Sequence, residues 1–121
     1  MDRVLIVDDE ANIRLLYSQE LADEGYRVDT AGTIAEALEH LSANSYSVVL
    51  LDIKLKNESG LDLLQKLVKE RSDMAVILST AFSCYKDDFS AWLADSYVVK
   101  SSDMQELKDE IKRLILRKKS R

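Results

Sequence analysis

Residues 4–10 read Val4-Leu5-Ile6-Val7-Asp8-Asp9-Glu10, an apolar, partly β-branched run that breaks at once into three acids. A short run with no polar alternation reads as a strand buried on both faces of a parallel sheet. The pattern recurs three times. Val48-Val49-Leu50-Leu51 leads to Asp52, Ala75-Val76-Ile77-Leu78-Ser79 leads to Thr80, and Tyr97-Val98-Val99 leads to Lys100. Ligands of open α/β sheets bind outside the carboxyl ends of the strands. If the four runs are neighbouring parallel strands, three carboxylates, a hydroxyl and an ammonium converge on one pocket. That set suits an oxygen-preferring cation and a phosphoryl group.

Segments of helical periodicity separate these runs. Residues 11–24 place Ile13, Leu16, Tyr17 and Leu21 on one face, with Gly25 as a stop signal. Arg27-Val28-Asp29-Thr30-Ala31 alternates polar and apolar, as a half-exposed edge strand does. Thr33-Ile34-Ala35-Glu36 matches a capping box and opens a second helix with Ile34, Leu38 and Leu41 on one stripe. A third helix starts at Ser59-Gly60-Leu61-Asp62, with Leu61, Leu64, Leu67 and Val68 as its apolar face. The fourth, 83–93, carries Tyr85, Phe89, Trp92 and Leu93; the fifth opens at Ser102 and carries Met104, Leu107, Ile111, Leu114 and Ile115.

Five strands alternating with five helices predict an α/β fold of right-handed βαβ units. The expected architecture is a five-stranded parallel sheet, doubly wound in the flavodoxin-like manner, with helices on both faces. The polar second run belongs at an edge, which gives the strand order 2-1-3-4-5. The first and third strands then flank the switch point, and they are the strands that end in Asp8-Asp9 and Asp52.

The chain has 121 residues, the length of one domain with a full core, and 1–121 is read as a single domain. It carries 22 acidic against 17 basic residues, a formal charge of −5, which disfavours direct binding of nucleic acid. No run approaches the roughly 20 apolar residues of a membrane span. Met1-Asp2-Arg3 leads straight into a strand, with no visible signal peptide. Cys84 is the only cysteine, which excludes an internal disulfide and fits a reducing, cytoplasmic setting. There is no proline, and no linker or internal repeat is visible.

The pocket chemistry follows from residue types. A carboxylate such as Asp52 can attack a phosphoryl donor and hold the group as an acyl phosphate. Anion meets anion in that attack, so a cation is needed, and Asp8, Asp9 and Asp52 offer oxygens to Mg²⁺. Lys100 supplies a mobile point charge for a phosphoryl oxygen, and Thr80 a hydroxyl donor. Each residue also has an ordinary reading. An Asp pair between strand and helix is often a cap with a dipole-favoured acid. Asp52 alone is a turn residue, Lys100 alone a solvated charge, and Thr80 alone uninformative. His40 reads as an exposed bystander, Cys84 and Trp92 as packing residues, and Lys112 to Arg121 as a solvated helix end. The functional reading rests on all four anchors standing at the same end of four buried strands.

Over nearly all its length the chain resembles the receiver domains of two-component response regulators. The resemblance is carried by Val4-Leu5-Ile6-Val7-Asp8-Asp9-Glu10, by Leu51-Asp52-Ile53-Lys54-Leu55 with Gly60 eight residues past the Asp, by Ser79-Thr80-Ala81, and by Tyr97-Val98-Val99-Lys100. It implies that Asp52 accepts a phosphoryl group from a phosphohistidine on a sensor histidine kinase or a histidine phosphotransfer protein. It implies that the backbone carbonyl of Lys54 joins Asp9 and Asp52 on Mg²⁺, with Asp8 acting largely through water and Mn²⁺ able to substitute. Thr80 and Tyr97 would form the switch pair. The output surface would be the face of the fourth helix, fifth strand and fifth helix, which controls a downstream protein or an attached output domain. The domain would be mainly monomeric, with dimerisation possible on phosphorylation. Two positions depart from the family pattern: Lys56 and Ser101 stand where receivers commonly carry proline.

Two rivals fare worse. A phosphohydrolase with an aspartyl nucleophile generally needs an acid two residues on, where Lys54 stands, and a nucleotide carrier lacks its glycine-rich loop after the first strand. A non-phosphorylatable receiver is disfavoured, since no pocket residue is missing. Lys54 and Phe82 line the expected route of water to the phosphorus. Neither offers an acceptor for the water's proton, so slow self-dephosphorylation is expected.

Overall fold

A computed structural model describes residues 2–55, 58–70, 74–80, 94–100 and 104–119; for Lys54, Glu58, Thr80 and Lys119 the description extends to the backbone alone. The elements run β1 (Arg3–Val7), α1 (Ala11–Asp23), β2 (Arg27–Ala31), α2 (Ile34–Ala43), β3 (Val48–Leu51), β4 (Lys54–Leu55), β5 (Glu58–Ser59), α3 (Gly60–Glu70), β6 (Ala75–Thr80), β7 (Ser96–Val99) and α4 (Gln105–Lys119). Five of the strands form one parallel sheet in the order β2-β1-β3-β6-β7, which is the expected 2-1-3-4-5 once β4 and β5 are set aside. Those two pair only with each other, as a two-residue antiparallel ribbon that the sequence pattern did not announce.

The sheet's two faces sort its residues by parity. Val4, Ile6, Val48, Leu50, Ala75, Ile77 and Val98 pack with Tyr17 and Leu21 of α1 and with Leu107, Ile111, Leu114 and Ile115 of α4. On the other face Leu5, Val7, Val49, Leu51, Val76 and Leu78 meet Ala37 and Leu41 of α2 and Leu63, Leu64 and Leu67 of α3. Full burial of one such aliphatic side chain contributes about 1.5–3 kcal/mol, so this double layer is the main source of stability. Asp95 fixes the start of β7: the Val76 N–H donates to its Oδ2 at 2.8 Å, and its own N–H donates to the Val76 carbonyl at 2.9 Å.

The local signals hold where their chemistry is specific. The Thr33 hydroxyl accepts from the Glu36 N–H at 3.2 Å and caps α2, while Gly25 takes φ +95° to end α1. Strand β2 is the half-exposed edge that its alternation predicted. Asp29 ties it down, its Oδ2 accepting from Tyr46 Oη at 2.7 Å and pairing with Arg3 Nη2 at 2.8 Å.

Three expectations need correcting. Leu16 is 44% exposed, because α1 shares its face of the sheet with α4 and buries only the narrow stripe of Tyr17 and Leu21. Val68 is 39% exposed, and Leu63 takes its place on the buried side of α3. His40 is no bystander: it is half-buried, with Nε2 3.0 Å from the Thr30 carbonyl oxygen. The expected fourth helix at 83–93 and the expected opening of the fifth at Ser102 lie outside the described residues.

Candidate functional site

The register of the sheet assembles the site. Val7 stands beside Leu51, and Leu51 beside Leu78. Asp8 and Asp52 each extend the ladder by one rung, the Asp8 N–H donating to the Ala31 carbonyl and the Asp52 N–H to the Val7 carbonyl, both at 3.0 Å. The two carboxylates therefore leave adjacent strands at the same height and on the same face. Both are buried.

Lys100, directly after β7, answers them. Its ammonium lies 2.5 Å from Asp8 Oδ2 and 3.1 Å from Asp52 Oδ2. Burial alone would lower the pKa of this amine, but the hydrogen bond and charge of Asp8, then those of Asp52, outweigh it and hold the pKa above its ordinary value. The cation stays charged inside a pocket where two carboxylates would otherwise repel each other.

Asp8 does more than face the lysine. Its Oδ1 accepts from the Glu10 N–H at 2.9 Å, and its carbonyl accepts from Arg14 Nη1 at 2.6 Å. Carboxylate oxygens of Asp8, Asp9 and Glu10 all lie within 4.8 Å of one another, an all-oxygen donor set of the kind that hard divalent cations prefer. Asp8 is buried, Asp9 half-buried and Glu10 exposed, so the set forms a wall from the interior to the rim. Glu10 and Arg14 were not singled out in the sequence. Glu10 stood in the acidic run with no role, and Arg14 had as its only signal a basic residue one turn into the following helix.

Gly60 is the third contributor that sequence spacing noted without a reason. Its N–H donates to the Ile53 carbonyl at 2.7 Å, closing the loop that carries Asp52 against the start of α3. A Cβ at this position would lie 1.9 Å from the Asp52 carbonyl oxygen. Only glycine permits that approach.

Thr80 ends β6 opposite Val99, and Tyr97 pairs with Leu78, two rungs earlier. Tyr97 is half-buried against the cluster beneath α2 and α3. Lys54 lies in β4, two residues past Asp52. The structure thus brings Asp8, Asp52 and Lys100 into direct contact and puts the backbones of Lys54 and Thr80 at the same edge. The side chains of Lys54 and Thr80, and Lys56, Phe82, Cys84 and Ser101, lie outside the described residues.

A family model for the response regulator receiver domain matches residues 4–112. The response regulator ArlR of Staphylococcus aureus is 32% identical over 120 residues, covering 97% of this chain and 54% of its own length. The chain spans about half the length of such curated relatives. Among solved structures, the response regulator TrrA of Thermotoga maritima, in complex with Mg²⁺-BeF, is 46% identical with a TM-score of 0.90, over 94% of this chain and 99% of that one. TrrA has also been solved in complex with the histidine kinase ThkA, with a TM-score of 0.88. A CheY-like receiver domain protein from Methanospirillum hungatei is 31% identical with a TM-score of 0.93, over 99% and 98% of the two chains.

Proposed function

The chain belongs to the response regulator receiver family, a family of signalling switches, and on that premise we propose that Asp52 is its phosphoacceptor. The observation that carries this reading is the Lys100 ammonium shared between Asp8 and Asp52 in a buried pocket. An ammonium so placed, 3.1 Å from Asp52 Oδ2, sets a positive charge beside any group that Asp52 acquires.

Asp52 Oδ attacks the phosphorus of a phosphohistidine. The new O–P bond forms as the P–N bond breaks, and the electron pair returns to the imidazole nitrogen, which then takes a proton from solvent. Lys100 turns from the carboxylates to a phosphoryl oxygen, and Thr80 donates its hydroxyl to another. Asp9 and Asp52, with the Lys54 carbonyl, would hold Mg²⁺, with Asp8 acting largely through water and Mn²⁺ able to substitute. The close acidic set of Asp8, Asp9 and Glu10 supports it. The bound metal supplies positive charge against the phosphoryl oxygens.

The added charge of about −1.5 to −2 biases a pre-existing equilibrium. Thr80 and Tyr97 carry the bias to the output face, of which β7 and α4 are the described part. The donor is a histidine kinase or a histidine phosphotransfer protein, a reading supported by the TrrA–ThkA complex. The receiver is one domain over 1–121, mainly monomeric until phosphorylated. It acts in the cytoplasm on a downstream protein or an attached output domain. Among the described residues no helix is long and apolar enough to cross a membrane.

Incubation with acetyl phosphate and Mg²⁺ tests the assignment. Intact mass should rise by one phosphoryl group, and Asp52→Asn should show no such gain. Uptake by the Asn variant at the wild-type rate refutes it.

A further inference from the structure

Ser79 is the lateral neighbour of Asp52. Leu51 stands opposite Leu78, so one rung further Asp52 meets Ser79. Parity puts both on the face covered by α1 and α4, since Val48 and Leu50 share one cluster there with Ala75 and Ile77. Asp52 is 6% and Ser79 4% exposed. Yet Ser79 Oγ is the one buried side-chain polar atom among the described residues with no hydrogen-bond partner. An orphan hydroxyl bears its desolvation penalty with no bond to offset it, and in a native fold it asks for a reason.

The layer above Ser79 is polar as well. Tyr17 of α1 is 4% exposed, among aliphatic neighbours. Burial raises the pKa of its phenol; Lys100 and Ser79 act against that rise, while Asp8 and Asp52 add to it. The phenol thus lies within reach of the pocket's charges. It neighbours Ser79 without forming a hydrogen bond of acceptable geometry. Two hydroxyls therefore stand beside the pocket in which Lys100 engages Asp52.

Resting on the reading of Asp52 as phosphoacceptor, we infer that Ser79 is a positioning residue, donating to the carbonyl oxygen of the Asp52 acyl phosphate once Lys100 has turned to the phosphoryl group, with the Tyr17 hydroxyl as its alternative partner. One rotation about χ1 moves a serine hydroxyl between two such acceptors. In hydrolysis a water oxygen bonds to phosphorus and the P–Oδ bond breaks. The electron pair returns to the Asp52 carboxylate, and the water's proton passes to solvent. A donor on the second carboxyl oxygen stabilises the returning charge, so Ser79 shortens the phosphoryl lifetime.

Wild type, Ser79→Ala and Tyr17→Phe are phosphorylated with acetyl phosphate and Mg²⁺, freed of donor, and followed by intact mass. Ser79→Ala should lengthen the lifetime about three- to tenfold, the effect of one hydrogen bond to developing charge. Tyr17→Phe should shorten it, because Ser79 loses its alternative acceptor and is left to Asp52. Isotope-edited infrared spectra should move the acyl carbonyl stretch to higher frequency in Ser79→Ala alone, a change that loosened packing does not produce. If Ser79→Ala decays at the wild-type rate with an unmoved carbonyl band, the inference is wrong and the phosphoacceptor reading stands. If Ser79→Ala does not fold, Tyr17→Phe decides, and a lifetime equal to or longer than wild type overturns the inference. A wild type that takes up no phosphate overturns both.

Discussion

Gly60→Ala tests whether the loop carrying Asp52 is held by backbone packing. The added Cβ would sit 1.9 Å from the Asp52 carbonyl oxygen, 2.9 Å from its carbonyl carbon and 3.1 Å from Ile53 Cα, all backbone atoms with no soft side chain to yield. Real Cβ contacts stay beyond 3.0 Å, so the end of β3 and the start of α3 must part by at least about 1.1 Å. The same movement stretches the 2.7 Å bond from the Gly60 N–H to the Ile53 carbonyl. Overpacking at a buried, rigid position costs about 3 kcal/mol, the upper end of its usual range. For a domain of this size that lowers Tm by about 10 °C. The displaced peptide bears the phosphoacceptor, and a misplacement of this order costs about 100-fold in rate. Gly25→Ala is the control. With φ +95° and nothing within 4 Å of its would-be Cβ, it should lose only the left-handed strain of about 1 kcal/mol and phosphorylate normally. Thermal unfolding by circular dichroism and initial rates of phosphoryl uptake measure both effects. A Gly60→Ala protein no less stable than Gly25→Ala, with a normal uptake rate, refutes the reasoning.

Lys100→Met removes the cation shared by two buried carboxylates and should cost about 3 kcal/mol in urea unfolding at neutral pH. Adding Asp8→Asn should restore most of that, and equal losses in the single and double variants would contradict the pairing. Burial and the adjacent Asp29 carboxylate push the Tyr46 phenol from 10.0 up to about 12. Its contribution is complete below pH 10, where both folded and unfolded phenols are protonated, and is lost as pH climbs toward 12, because the unfolded chain ionises first. Lys100, also raised, acts in the same direction above 10.5. Tyr46→Phe should therefore flatten, without abolishing, the fall of the urea midpoint between pH 10 and 12, and an unchanged slope would disprove the phenol's part. Lys54→Asn and Phe82→Glu should each hasten loss of the phosphoryl group by giving water an acceptor. Decay at the wild-type rate in both would show that these positions do not guard the phosphorus.

The sheet was legible because β1, β3 and β6 are buried on both faces and therefore spell uninterrupted apolar runs, each closed by the residue that chemistry needs, while the two edge strands β2 and β7 are only half-buried. Asp8, Asp52 and Lys100 could be placed together from that alone, since parallel strands deliver their last residues to one edge. Helix faces were read less well. Leu16 and Val68 fit a 3.6-residue stripe as well as Tyr17 and Leu63 do, and only the sharing of one sheet face by α1 and α4 and of the other by α2 and α3 decides which side meets the core. The ribbon of Lys54–Leu55 and Glu58–Ser59 is too short to have a period. Arg14, Gly60 and Ser79 act through contacts that the turn of the chain after a strand, or the register of the sheet, brings about. Arg14 meets the Asp8 carbonyl, Gly60 the Asp52 carbonyl, and Ser79 the row in which Asp52 stands. Spacing picked out Gly60 without its reason, and no local pattern gives Arg14 or Ser79 its role.

The central claim is that the phosphoryl group is carried on Asp52 itself. Borohydride reduces an aspartyl phosphate to homoserine and leaves free carboxylates untouched, so reduction after phosphorylation followed by peptide mass spectrometry reads the acceptor directly. The account predicts homoserine at position 52 and nowhere else, in proportion to the phosphate taken up. Homoserine at position 8 or 9, or phosphate uptake that leaves Asp52 unreduced, would contradict it.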